Sequence, residues 1–199
     1  MSNIFDQVSV SFSYQEFKDT ETENLNIPIT GNETRDNYKS YSVMNLKRMN
    51  RVEKTFNISE SLQNQLDNLK EHQTWWVITE MWCGDSAQNL PAIAKIAEAS
   101  KGKINLKIIL RDDYLEIMDN YLTNGGRSIP KLIAFNEQKE ELFQWGPRPQ
   151  EAQKLMTEWK ENPGEKTQEE MINEMHVWYP KNNGAALTQE FIQLFEGLK

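Results

Sequence analysis

The sequence predicts an α/β fold, one domain with helical extensions, and three observations carry that reading. Short apolar runs rich in aromatic and β-branched residues, "TWWVITEMW", "INLKIIL" and the pair "IPKLIAF" and "ELFQW", are too short for most helices and read as strands. Longer segments with apolar residues at helical spacing stand between and around them. The composition, 38% hydrophobic and 26% charged over 199 residues, suits a chain that buries one sizeable core.

Taken in order, residues 1 to about 30 are polar and mixed, with "DTETEN" and "NIPITGN" as loop-like punctuation, which predicts an irregular leader. Helical spacing runs from Glu33 to Val52, and Ser59 then caps a clearer helix whose Leu62, Leu66 and Leu69 fall on one face. Residues 75 to 81 read as a buried strand. Leu90, Ile93, Ala94 and Ala97 mark a helix over about 84 to 99, with Pro91 inside it as a predicted kink. A second strand covers 104 to 110. Tyr114, Met118, Tyr121 and Leu122 give the next helix face, which "TNGGRS" ends.

A hairpin of roughly 131 to 136 and 140 to 145 follows, and Pro149 then starts a helix with Ala152, Leu155, Met156 and Trp159 on its face, stopped by "NPG" at 162 to 164. "EKTQEEMINEMHVWYP" and "TQEFIQLFEGL" read as two further helices. Met171, Met175 and Trp178 form the stripe by which this tail packs on the domain, and His176 within it reads as a structural or surface histidine.

With 30 acidic against 22 basic residues, net −8, the chain has no basic field for phosphates or anionic lipids, so neither nucleic acid nor a membrane surface is the expected partner. The start lacks the pattern of a secretory signal, and no window approaches the ~18 apolar residues of a spanning helix, so a soluble cytoplasmic protein is expected. A lone cysteine, with only His72 and His176 besides, allows no disulfide framework and no zinc-ligand spacing, and no cofactor is expected.

That cysteine, Cys83, stands in "TEMWCGDSAQNLP", residues 79 to 91. A strand delivering a cysteine to the first turn of a helix has a chemical meaning, because the free amides and positive end of the helix favour the thiolate. The order of "WCGDS" at 82 to 86, the helix proline Pro91 and "SIPKLIAF" at 128 to 135 resembles the thioredoxin family, whose motif is WCGPC. The set "WCGDSAQNLP", "LTNGGRSIPKLIAF" and "WGPRP" is similar to a bacterial thioredoxin-like subgroup that reads WCGDxAQ. The resemblance implies a thioredoxin-like core over 59–162 with a central mixed sheet of about four strands flanked by helices. Residues 1–58 then form a leader and helical extension, and residues 163–199 a helical extension packed on the core. It further implies a cis bond before Pro130, a catalytic Cys83 with Asp85 and Ser86 beside it, and substrate contacts from Trp82, Gly84, Ile129 and Pro130.

Departures from the family pattern bear on the chemistry. Ser86 stands where the resolving cysteine would be, and a hydroxyl cannot displace a mixed disulfide. Val77 occupies the place of the buried acid that assists that step, and Asp85 puts a negative charge near the thiol, opposing the helix end. The expected function is reversible mixed-disulfide formation through Cys83, with protein or low-molecular-weight thiols and disulfides as partners; the alternative is a non-catalytic groove for a peptide or partner protein. "NGGRS" lacks the lysine and Ser/Thr of a phosphate-binding loop. Arg111, Asp112 and Asp113 read as a solvated turn, and "CGDS" departs from the CGFS of monothiol glutaredoxins at its aspartate.

Overall fold

The computed structural model describes residues 3–26 and 33–198, with the backbone alone for 33–37. A 3₁₀ turn, Ile4–Gln7, precedes helices α1 (Tyr14–Asn26), α2 (Glu33–Thr55) and α3 (Glu60–Asp67). There follow β1 (Gln73–Thr79), α4 (Gly84–Ala99), β2 (Ile104–Leu110), α5 (Leu115–Met118), β3 (Lys131–Phe135), β4 (Glu141–Trp145), α6 (Gln150–Glu161), α7 (Gln168–Asn182) and α8 (Ala185–Gly197). The fold is α/β: a mixed four-stranded sheet in the order β2-β1-β3-β4, with helices on both sides. β1 runs parallel to β2 and antiparallel to β3, which is antiparallel to β4.

Because successive strand side chains point to opposite faces, the apolar runs feed two cores. Trp75, Val77, Ile108, Leu132, Ala134, Phe143 and Trp145 face one side, against Met49 and Val52 of α2, Leu62 and Leu66 of α3, α4, and Leu187, Phe191 and Phe195 of α8. Trp76, Ile78, Ile109, Ile133 and Phe135 face the other, against Phe5, Ile117, Met118 and Tyr121. Ser59 caps α3 by accepting the Leu62 amide. No described helix is long and apolar enough to cross a membrane.

The structure departs from the sequence reading at four places. The leader is not irregular: Ser13 and Glu16 bond reciprocally to each other's amides at the start of α1, and Phe17 anchors that helix in the core at 2% exposure. Phe12, just before it, exchanges both backbone hydrogen bonds with Ile108 at 2.8 Å, an antiparallel bridge on the outer edge of β2. The rest of the predicted loop, 27–32, lies outside the described residues. β1 is shifted two residues from the predicted 75 to 81: it begins at Gln73, which is buried with its amide on the Lys103 carbonyl and its side chain accepting from the Trp75 indole, and it ends at Thr79, where the chain turns through Glu80. The helix expected around Tyr114 is a single turn, after which Asn120 and Tyr121 tighten into bonds three residues back. In α7 it is Tyr179, spaced four from Met175, that completes the buried face with Met171, while Trp178 is half-buried; this face packs on Leu155, Met156 and Trp159 of α6.

Candidate functional site

Past Thr79 the chain turns sharply, with the Cys83 amide bonded to the Glu80 carbonyl at 3.2 Å. Cys83 is the N-cap of α4, in extended conformation, and its carbonyl accepts the Ala87 amide. Its thiol donates to the Ile129 carbonyl at 3.2 Å, so the cysteine loop and the Ile129–Pro130 segment meet as the motifs imply, and the Ile129–Pro130 bond is cis. Ser86 is buried behind the thiol, its hydroxyl accepting from Thr79 Oγ1 at 2.7 Å. Burial pushes the Cys83 thiol up to about 11, and the Asp85 carboxylate adds to the rise. The Ser86 hydroxyl and the amides of Ser86 and Asp85 pull the other way. The helix-end effect anticipated from the sequence is therefore present but outweighed by desolvation.

Asp85 is not a free charge. The Arg148 guanidinium binds its Oδ2 through Nε at 2.9 Å and through Nη2, and the Tyr179 hydroxyl donates to Oδ1 at 2.7 Å. Both charged side chains are mostly buried, at 12% exposure for Asp85 and 15% for Arg148. Asn89 ties the network to α4, donating to the Asp85 carbonyl and to Tyr179 Oη. Arg148 is delivered by "WGPRP", where Gly146 runs against the Pro130 carbonyl. Trp82 stacks on Tyr38, centroids 5.0 Å apart, and carries the Arg111 guanidinium 4.7 Å from its ring centroid.

Cys83, Trp82, Gly84 and Asp85 line an open groove of about 480 Å³ whose other walls include Thr123, Ser128, Arg148, Met156 and His176. The Thr123 Oγ1 atom is buried without a hydrogen-bond partner among the described residues. Ile129 and Pro130 lie behind this groove; the Ile129 side chain is buried in the core and its carbonyl faces the thiol. Sequence reasoning missed Arg148, Tyr179, Arg111 and the position of His176. Only Arg148 carried a signal, as part of the quoted "WGPRP"; Tyr179 and His176 reach the site because α7 folds back over it.

Two groups near the site titrate in opposite directions. Burial holds the half-buried His176 at about 4, Arg48 and Arg148 adding to the fall and Asp85 opposing it. Burial also raises Glu80, whose Oε1 accepts the Asp112 amide, to about 7. Neutral His176 stabilises the fold above its ordinary 6.5, and that contribution is lost as pH falls towards 4. Protonated Glu80 contributes below its ordinary 4.5, and that contribution is lost as pH rises through 7. In urea unfolding over this window, Glu80→Gln should lose stability on acidification and His176→Asn should gain it, with the wild type between them. Slopes of the same sign in both variants would refute the assignment.

Residues 31–160 match the model of a family described as Thioredoxin. No curated protein matches the sequence. Among solved structures, the chain is similar to PA1234, a protein of unknown function from Pseudomonas aeruginosa, at 16% identity and a TM-score of 0.58, with 94% of this chain and 99% of that one covered. It is similar also to an HIV epitope scaffold, at 17% identity and a TM-score of 0.55, with the same coverage of 94% and 99%. At these identities the likeness concerns the fold alone.

Proposed function

The chain belongs to the thioredoxin family, and from that premise we propose that it forms mixed disulfides through Cys83 with protein or low-molecular-weight disulfides, the thiol that later releases the adduct coming from outside. The carrying observation is that Cys83, at the start of α4, opens on a groove of about 480 Å³. The Cys83 thiolate attacks one sulfur of the incoming disulfide, the old S–S bond breaks, and the departing thiolate takes up the proton that Cys83 lost. Release reverses this: an external thiolate attacks the adduct sulfur and Cys83 leaves and is reprotonated. Ser86 offers no internal route.

The raised thiol sets the tempo. With a pKa of about 11 the sulfur is scarcely ionised near neutrality, so capture is slow. The same property makes Cys83 a poor leaving group, so the adduct, once formed, persists. This is the behaviour of a holder of thiols rather than of a rapid reductase. Incubation with 2-hydroxyethyl disulfide, followed by intact mass, should give a single adduct that is absent from Cys83→Ala. Its rate should climb with pH towards about 11 without levelling near 8.

A second reading, a non-catalytic groove, draws on the thiol's own hydrogen bond. By donating to the Ile129 carbonyl at 3.2 Å, Cys83 occupies a backbone acceptor of one of the residues to which the family resemblance assigns substrate contacts. If the folded protein takes no adduct at pH 9 while the urea-unfolded chain does, exchange is excluded and this reading stands.

A further inference from the structure

The bare backbone of Gly84 is covered by two side chains from outside the cysteine loop. A Cβ placed there would lie 2.6 Å from His176 Cε1, 2.9 Å from His176 Nε2 and 3.5 Å from Arg48 Nη1, so the imidazole of α7 and the guanidinium of α2 converge on one point. Their orientation is built. Arg51 Nη2 donates to Gln88 Oε1 at 2.5 Å, which leaves the Gln88 amide nitrogen to donate to His176 Nδ1 at 3.4 Å. His176 Nδ1 is thus an acceptor, and in the neutral ring Nε2 carries the hydrogen. Arg48 Nη1 is held by Asn45 Oδ1 at 2.7 Å, and Asn45 is itself fixed to the Met81 carbonyl at 2.8 Å.

Arg48 forms no salt bridge among the described residues. The carboxylate that acts on it through space, Asp85, is taken up by Arg148 and Tyr179. Arg48 and His176 both line a second groove of about 750 Å³ between α2 and α7, which meets the Cys83 groove at Trp82 and Gly84. Apart from Asp85, the one carboxylate among the described residues lining these two grooves is the exposed Glu169. In a chain of net charge −8, the junction of the two grooves thus holds a cation, Arg48, with no carboxylate of its own, beside the His176 ring.

We propose that Arg48 and His176 form a carboxylate-recognition site at the junction of the two grooves, which selects thiols and disulfides bearing a carboxylate for exchange at Cys83. The selection rests on the exchange reading above; the carboxylate site itself does not. Arg48 supplies charge and His176 an N–H, the pairing that an anion held against a half-buried wall requires. A small molecule or an acidic residue beside a cysteine in a polypeptide could bring that carboxylate.

The test compares Cys83 adduct formation with 3,3′-dithiodipropionate and with 2-hydroxyethyl disulfide at one pH, so that the thiolate fraction cancels in the ratio. Arg48→Gln should lower the dianion-to-neutral ratio about tenfold, the effect of one charge-assisted contact. His176→Leu should lower it severalfold, and His176→Gln, which keeps a donor, less. Peptide disulfides with Asp or Asn beside the cysteine separate the sources: an Asp preference larger than that for dithiodipropionate assigns the carboxylate to a polypeptide. Independently, succinate should move the His176 ring proton resonance in wild type, leave His72 in place, and move neither in Arg48→Gln. An unchanged ratio together with an unmoved His176 signal overturns the site. If Cys83 reacts with neither disulfide, the exchange reading and the selection built on it fail, and the succinate titration alone decides whether the carboxylate site exists.

Discussion

Gly146→Ala is expected to destabilise the protein by about 3 to 5 kcal/mol, because it combines a backbone penalty with a collision that cannot relax. Gly146 has φ +118°, a conformation that residues with a Cβ rarely adopt. A Cβ there would lie 2.2 Å from the Pro130 carbonyl oxygen and 3.2 Å from its carbon, both backbone atoms of the neighbouring strand entry. No side chain can swing aside to make room. Gly125 is the control: its φ is +77° but nothing lies within 4 Å of the added methyl, so Gly125→Ala should cost only about 1 kcal/mol. Urea unfolding with an unchanged m-value reads both. Equal effects at the two glycines would contradict the packing described.

The second large effect concerns the buried pair beside the thiol. Asp85→Asn removes the carboxylate that raises Cys83 and frees the Arg148 charge close to the sulfur, so the thiol pKa should fall from about 11. Arg148→Gln leaves the carboxylate uncompensated and should raise it. Two unit charges ~6 Å apart at an effective dielectric of ~40 interact by about 1.4 kcal/mol, roughly one pKa unit. At pH 8, well below the pKa, iodoacetamide should therefore alkylate Asp85→Asn about tenfold faster and Arg148→Gln about tenfold slower than wild type. The double variant should return towards the wild-type rate. Each single variant also leaves a mostly buried charge without its partner, a loss of about 3 kcal/mol in unfolding experiments. Rate changes of the same sign in both single variants would show that Asp85 and Arg148 act on the thiol through packing rather than charge.

The strands and most of the helices were legible because their signals are local. "INLKIIL" sets Ile104, Leu106, Ile108 and Leu110 on one face at every second position, and Ser59 caps α3 wherever that helix packs. The start of β1 was less so, since Gln73 and Thr74 read as polar until the Lys103 carbonyl and the Trp75 indole claim Gln73. α1 was hidden by its composition: thirteen residues with one fully buried apolar anchor, Phe17, carry too weak a periodic signal to set against their polarity. The same division runs through the site. Cys83 and Ile129 come together through motifs that can be read along the chain, and Arg148 lies within one, "WGPRP", whereas Arg48, His176 and Tyr179 belong to the site only after α2 and α7 have packed around α4. No spacing rule links residues so far apart in sequence.

The bridge between Phe12 and Ile108 has a consequence for how the molecule behaves among its own copies. β2 is an edge strand, and an edge with unpaired amides and carbonyls is a template on which another chain can add a strand. The two 2.8 Å bonds from Phe12 occupy the Ile108 groups near the middle of that edge, and Lys107, stretched over the Trp76 ring, places a charge beside them. A docking strand would have to displace Phe12 and come up against Lys107 before it could pair in register. The segment ahead of α1 therefore acts as a stopper on the growth of the sheet, keeping β2 from recruiting its next neighbour from a second molecule.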